Sequence, residues 1–138
     1  MAYLFKYKRT LMLLYFTGVQ LLLVAAPADS TLCVKMKWGK FNYKNDLSQT
    51  IIVERKRSMQ IETNQATKKV IKLKVKWISN CSYNIKQVWS NSKASRKNNG
   101  GWATVVINKV GPLYYEYSCV CPYASDVKKS EGVMYVIN

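Results

Sequence analysis

The chain has no histidine among its 138 residues, and only 7 acidic residues stand against 22 basic ones. Without imidazole, Ser-His-Asp and Cys-His catalysis and histidine-ligated metals are excluded. A glycosidase-like pair of carboxylates is the remaining enzymatic option, and Glu54 and Glu62 are its candidates, on predicted strands that flank one turn. Because carboxylates in so basic a chain are expected to pair with lysine or arginine, we predict a non-enzymatic protein with no metal and no cofactor.

The chain also lacks a long apolar helical stripe beyond its first 28 residues. Those residues have early cations, an apolar run over Leu11–Ala26, and small residues up to Ala28. This order is typical of a secretory signal peptide, and it predicts cleavage after Ala28. A retained membrane anchor is the alternative, but the apolar run is shorter than the ~20 residues that span a bilayer. We therefore expect residues 29–138 to form a single domain that is secreted, periplasmic or bound to the cell envelope.

The predicted mature part contains four cysteines, Cys33, Cys81, Cys119 and Cys121. An even number in an oxidising compartment predicts disulfides. Cys119 and Cys121 lie two residues apart on a predicted strand, and a bond between them would strain the backbone. We expect each of them to bond to Cys33 or Cys81, and the pairing stays open. A zinc site is the competing use of these cysteines, but the lack of histidine and of a CxxC pair favours disulfides.

Alternating polar and apolar residues predict strands through most of the mature part. The clearest segment is Lys68–Tyr83, in which four apolar residues face one side and three lysines face the other. We interpret it as one long strand with a buried face and a wet face. Thr31–Trp38 alternates as well and predicts a first strand, whereas Asn91–Gly101 predicts a flexible loop. About eight strands separated by turns predict an all-β antiparallel meander, either a small barrel or a sandwich.

The basic residues indicate anionic partners. The mature part carries 19 basic and 7 acidic residues, a net charge of +12. Three lysines on one strand face, about 6.6–7 Å apart, match a run of phosphates or sulfates on lipid head groups, lipopolysaccharide or acidic glycans. A solvated face that keeps sheet edges from pairing is the alternative, and export argues against nucleic acid. The anion-binding candidates are Lys68, Lys69, Lys72, Lys74, Lys76, Lys93, Arg96 and Lys97.

The aromatic residues are the third feature of the sequence. On the inner face of a barrel they can line a pocket for a small apolar ligand. Large aromatic side chains can also simply fill the core, and the sequence leaves both interpretations open. The candidates for an apolar pocket are Trp38, Trp77, Tyr83, Trp89, Tyr115 and Tyr117.

Four short motifs follow one another along the chain. They are Gly39–Tyr43 (GKFNY), Gln60-Ile61-Glu62 after an arginine, Lys76–Tyr83 (KWISNCSY), and Tyr115-x-Tyr117-x-Cys119. In order and spacing they resemble the motifs of a group of uncharacterised small secreted proteins of Bacteroidota, in which KWxSDCxY is the most specific block. The resemblance implies a lipocalin-like antiparallel barrel or half-barrel and an exported location. It brings no established activity.

Two functional hypotheses follow. The first is an exported, non-enzymatic β-domain that binds anionic envelope or extracellular material through the basic strand face. The second is a lipocalin-like carrier that holds a small apolar ligand inside the barrel.

Overall fold

The alternating segments form eight antiparallel strands that close into a barrel in a computed structural model, which describes residues 28–97, 100–121 and 128–138. Each strand pairs with the next one along the chain, and the last strand pairs with the first. The predicted all-β meander is therefore confirmed as a small lipocalin-like barrel. The strands are β1 (Gly39–Lys44), β2 (Thr50–Lys56), β3 (Met59–Asn64), β4 (Val70–Trp77), β5 (Ser82–Ser90), β6 (Ala103–Val110), β7 (Tyr114–Cys121) and β8 (Lys128–Ile137).

The segment predicted as one long strand, Lys68–Tyr83, is shorter than expected. β4 ends at Trp77, and the backbone N–H groups of Ile78 and Ser79 donate to the Ser82 carbonyl to close a turn into β5. Within β4 the predicted alternation holds, because Leu73 is buried and the lysines are exposed. The basic face and the apolar face therefore both exist, on a strand of 8 residues.

Two predictions about local structure are wrong. Thr31–Trp38 is not a strand, since Ser30–Val34 forms the short helix α1, with the Asp29 carboxylate accepting from the Thr31 backbone N–H. The loop Asn91–Gly101 contains a second short helix, α2 (Lys93–Lys97). Both helices are 5 residues long, so neither helix of the described residues can cross a membrane.

A disulfide between Cys33 and Cys81 joins α1 to the turn between β4 and β5. The prediction that Cys119 and Cys121 each reach one of these two cysteines is therefore wrong. Cys119 is buried in the barrel wall, and the side chain of Cys121 lies outside the described part of the chain. The bond holds α1 against the barrel, where Cys33 belongs to the buried core.

The predicted signal peptide, residues 1–28, lies outside the described residues except for Ala28. The structure therefore describes the barrel and the short helix that precedes it.

Candidate functional site

Strand β3 turns its polar residues toward the barrel interior. Gln60 is only 1% exposed, and Glu62 lies opposite Ile71 on the inner face. Met59 and Ile61 lie on the outer face, opposite lysines of β4. Register in an antiparallel sheet fixes which residues share a face, so β2 and β4 impose this orientation on β3. From the alternation of β3, the apolar residues Met59 and Ile61 would be expected to face the interior. The interior instead contains the amide of Gln60 and the carboxyl group of Glu62.

Arg55 is the second polar residue inside the barrel. It lies on the inner face of β2 and is 2% exposed. Its guanidinium donates to Gln60 Oε1 at 2.7 Å, and to the Met36 carbonyl and the hydroxyls of Tyr83 and Tyr115 at 2.8 Å each. Burial by itself lowers the pKa of Arg55, but Tyr83, Tyr115 and the nearby Glu62 raise it, and the net direction is upward. The guanidinium therefore stays charged in the core.

Gln60 connects this buried cation to a carboxylate. It accepts from Arg55 Nε and donates through Nε2 to Glu62 Oε1 at 2.6 Å, while the Tyr43 hydroxyl donates to Glu62 Oε2 at 3.1 Å. Burial raises the pKa of Glu62, whereas the hydrogen bonds from Gln60 and Tyr43 and the charge of Arg55 oppose that shift. Burial and the neighbouring Glu62 also raise the pKa of the Tyr43 phenol. The interior thus holds a cationic guanidinium and a carboxyl group linked through one amide.

This network borders a cavity of about 360 Å³ inside the barrel. Leu73, Ile85 and Val105 contribute to its apolar wall, and Gln60 and Glu62 contribute polar atoms. An apolar wall with a few convergent polar groups is typical of a small-molecule site.

Glu62 and Tyr43 also line an adjoining cavity of about 180 Å³. The other residues on its wall include Asn45, Asn64 and Lys69, which lie at the strand ends and turns. The hydrogen bond between Tyr43 and Glu62 therefore stands between a larger, more apolar space and a smaller, more polar one.

The aromatic pocket candidates separate into three pairs. Tyr83 and Tyr117 line the larger cavity. Trp77 and Tyr115 pack within or against the core, with Trp77 and Tyr83 ring centroids 4.5 Å apart. Trp38 is 57% exposed and Trp89 is 41% exposed, so these two lie at the surface and do not form the pocket wall.

The predicted lysine row lies on the outside of the barrel. Lys72, Lys74 and Lys76 are exposed on β4, and Lys74 faces Lys86 of β5. The Lys72 ammonium lies 5.0 Å from the centroid of the Trp89 ring. The row and the cavity are therefore on opposite faces of the same strand.

The other predicted cations flank this face. Lys68 and Lys69 lie in the turn before β4, and α2 carries the remaining three, all exposed. α2 also contacts the cavity wall indirectly, because Gln87 Nε2 donates to the Ser95 carbonyl at 2.7 Å and Gln87 lines the larger cavity. The three predicted α2 cations are Lys93, Arg96 and Lys97.

The carboxylate pair considered from the sequence does not form. Glu54 lies on the outer face and pairs with Lys40 at 3.6 Å, whereas Glu62 lies inside. Neighbouring cross-strand pairs place them on opposite faces, since Val53 faces Glu62 and Glu54 faces Ile61. These two carboxylates cannot act on one substrate.

Sequence reasoning missed Arg55, Gln60 and Tyr43 as parts of the site. A signal was present for Arg55, which alternates in phase with Ile51 and Val53 and therefore belongs to the buried face of β2. Two of its partners, however, are the hydroxyls of Tyr83 and Tyr115, on strands 28 and 60 residues away in the chain.

Comparison of the chain with protein-family models, with curated proteins and with solved structures finds no match. The resemblance to secreted proteins of Bacteroidota therefore stays a prediction.

Proposed function

We propose that the protein is an exported carrier that holds a small ligand inside the barrel. The single observation that carries this proposal is the cavity of about 360 Å³ lined by inward-facing side chains of the barrel. If the aromatic residues only filled the core, this space would not exist, because protein interiors pack as densely as organic crystals.

The size and wall of the cavity support a small, largely apolar ligand. Ligand sites commonly measure about 300–1,000 Å³, and this one is near the lower limit. Leu73, Ile85 and Val105 supply apolar contact, while the Gln60–Glu62 pair supplies directed polar contact.

The disulfide supports export. Bonds such as Cys33–Cys81 form and persist in secreted and periplasmic proteins and are rare in the reducing cytosol. The predicted signal peptide at residues 1–28 and the resemblance to secreted proteins point the same way.

The carrier role is tested by filling the cavity from its wall. Val105 lines the cavity, and its neighbour Val106 is 39% exposed on the outside. Val105→Phe should weaken the binding of octanol, measured by isothermal titration calorimetry, roughly tenfold or more, because the ring occupies the ligand space. Val106→Phe adds the same ring outside and should bind octanol as the parent protein does.

Two results would contradict the carrier role. One is no heat of octanol binding to the parent protein, measured together with native mass spectra that show no co-purified small molecule. The other is equal octanol affinity in both valine variants, which would locate the binding outside the barrel.

A second function, contact with anionic surfaces, is favoured by the outer lysines of β4. Among the described residues the three ion pairs are Lys40–Glu54, Lys109–Glu116 and Lys129–Glu131, so the lysine row takes part in none of them. Unneutralised lysines next to an exposed tryptophan suit a lipid head-group region. A carrier that docks on an anionic membrane or glycan would combine both functions.

A further inference from the structure

A guanidinium and a carboxyl group share the inner face of the barrel. Arg55 and Glu62 are both on the inner face, and Gln60 hydrogen-bonds to each of them. Arg55 lies behind Gln60 and Tyr83, whose side chains form the cavity wall. A ligand in the cavity therefore meets the carboxylate directly and the guanidinium only through its partners.

Glu62 has acceptor capacity left for a ligand. A carboxylate offers about four lone-pair positions, and Gln60 and Tyr43 occupy one on each oxygen. The side chain borders both cavities, so a ligand in either one lies within reach of the Glu62 carboxyl group. Filling the site with a purely apolar molecule would leave these positions without water or a donor, which is costly.

Charged ligands fit poorly beside the Arg55 guanidinium and the Glu62 carboxyl group. A carboxylate would meet Glu62 as a like charge, while the Arg55 donors are directed at Gln60, Tyr83, Tyr115 and the Met36 carbonyl. An ammonium would add a second cation near Arg55, and among the described residues Glu62 is the only carboxyl group on the cavity wall that could pair with either cation. Lys69, at the edge of the smaller cavity, is partly exposed to water, which screens its charge.

We propose that the ligand of the cavity is an uncharged, largely apolar molecule with an N–H or O–H group that donates to Glu62. This inference rests on the proposed carrier role and specifies its ligand class. Glu62 selects against carboxylates, so the barrel discriminates an amide or alcohol from a fatty acid of the same chain length. The cationic exterior attracts anions to the surface, and the interior then excludes them.

The test compares four probes with the same eight-carbon skeleton: octanamide, methyl octanoate, octanoate and octylammonium. At mildly alkaline pH, calorimetry should rank octanamide first, and it should bind roughly tenfold or more tighter than octanoate. Methyl octanoate, which accepts but does not donate, should also bind more weakly than octanamide.

Glu62→Gln removes the negative charge and leaves Arg55 unbalanced. Octanoate should then bind more tightly than octanamide, which reverses the order of the parent protein. Glu54→Gln, the same change on the outer face of the neighbouring strand, should leave the order intact. If Glu62→Gln fails to fold, the ranking of the four probes on the parent protein decides the question.

The outcomes separate the two proposals. Binding of none of the probes overturns the carrier role. Binding of octanoate or octylammonium as tightly as octanamide, or an order unchanged by Glu62→Gln in a folded variant, overturns the ligand class and leaves the carrier role standing.

Discussion

Arg55 connects more parts of the molecule than any other side chain described above. Its guanidinium bonds to β3, β5 and β7 and to the backbone between α1 and β1. The Tyr83 ring lies 4.6 Å from the guanidinium carbon and adds a cation–π contact. A buried charge is costly unless it is fully hydrogen-bonded, and here the surrounding strands supply the acceptors. Arg55 therefore connects three other strands of the barrel to the backbone that follows α1.

Arg55→Met should destabilise the fold strongly. The thioether fills similar space but leaves Gln60, the Met36 carbonyl and the tyrosine hydroxyls without their buried donor, so we expect a loss of about 3–5 kcal/mol. Urea unfolding followed by tryptophan fluorescence measures it. Arg57→Met, two residues further on in the exposed turn, should change the free energy of unfolding by less than about 0.5 kcal/mol. Similar losses in the two variants would show that the Arg55 network contributes no special stability.

Glu62 should make stability depend on pH. Its pKa in the folded protein is raised above the ordinary value of 4.5, chiefly by burial, so the fold favours the protonated form. That stabilisation is complete below pH 4.5 and disappears as pH rises through the folded pKa. Relative to the Glu62→Gln variant, the free energy of unfolding of the parent protein should fall by about 1.4 kcal/mol per pH unit between pH 4.5 and the folded pKa of Glu62. Outside that range the difference between the two proteins should not change with pH.

The measurement is the urea midpoint of both proteins across the acidic and neutral range. A parent-minus-variant difference that is flat with pH, or that rises with pH, would contradict the burial effect on Glu62. Glu54→Gln, on the exposed side of β2, serves as the control, and its difference from the parent should not show this fall.

At the scale of elements, α1 depends on the disulfide more than on its own sequence. A helix of 5 residues is not stable alone in water. Cys33 ties it to Cys81 across a sequence separation of 48 residues, which restricts the unfolded chain considerably.

Replacing both cysteines, Cys33→Ala with Cys81→Ala, should lower the free energy of unfolding by about 4 kcal/mol, the loop-closure value for a separation of this length. Thermal or urea unfolding under oxidising conditions measures the change. Leu32→Ala, beside Cys33 and 38% exposed, is the matched control for α1 itself and should have little effect. A double variant as stable as the parent would mean that the disulfide does not restrict the unfolded chain.

Local alternation predicted the hairpins well because each strand and its turn are encoded in adjacent residues. β2 and β3 are the predicted strands that carry Glu54 and Glu62 on either side of one turn, and β4 lies within the predicted segment Lys68–Tyr83. Alternation shows that two faces differ, but it does not show which face of β3 turns inward. That orientation depends on pairing with β4, where Gln60 meets Leu73.

The site depends on still longer separations. Arg55 bonds to Tyr83 and Tyr115, which lie 28 and 60 residues away in the chain. No pattern within one strand indicates such a cluster. The sequence therefore allowed the aromatic residues to be proposed as a pocket, but it did not indicate that Arg55 lies behind them. The segment Thr31–Trp38 misled because it also fits a helical turn: Cys33 and Met36, three residues apart, are both buried against the core.

At the scale of the whole molecule, charge is sorted by face. Glu62 lies inside, while Glu54, Glu116 and Glu131 pair with outer lysines. The β4 lysines stay outside these pairs among the described residues, so part of the +12 excess of the mature chain is concentrated on one side of the barrel. Such an arrangement gives an oriented electrostatic surface rather than a diffuse charge.

The orientation of that surface can be tested with vesicles of equal parts phosphatidylglycerol and phosphatidylcholine at low salt. Lys72→Gln, Lys74→Gln and Lys76→Gln together should weaken co-sedimentation roughly 100-fold, because each lysine near an anionic surface contributes about 1 kcal/mol. Lys40→Gln, Lys109→Gln and Lys129→Gln together remove the same net charge from the ion-paired lysines and should have a much smaller effect. Equal losses in the two triple variants would show that only net charge acts, and a parent protein that does not bind these vesicles would remove the docking face altogether.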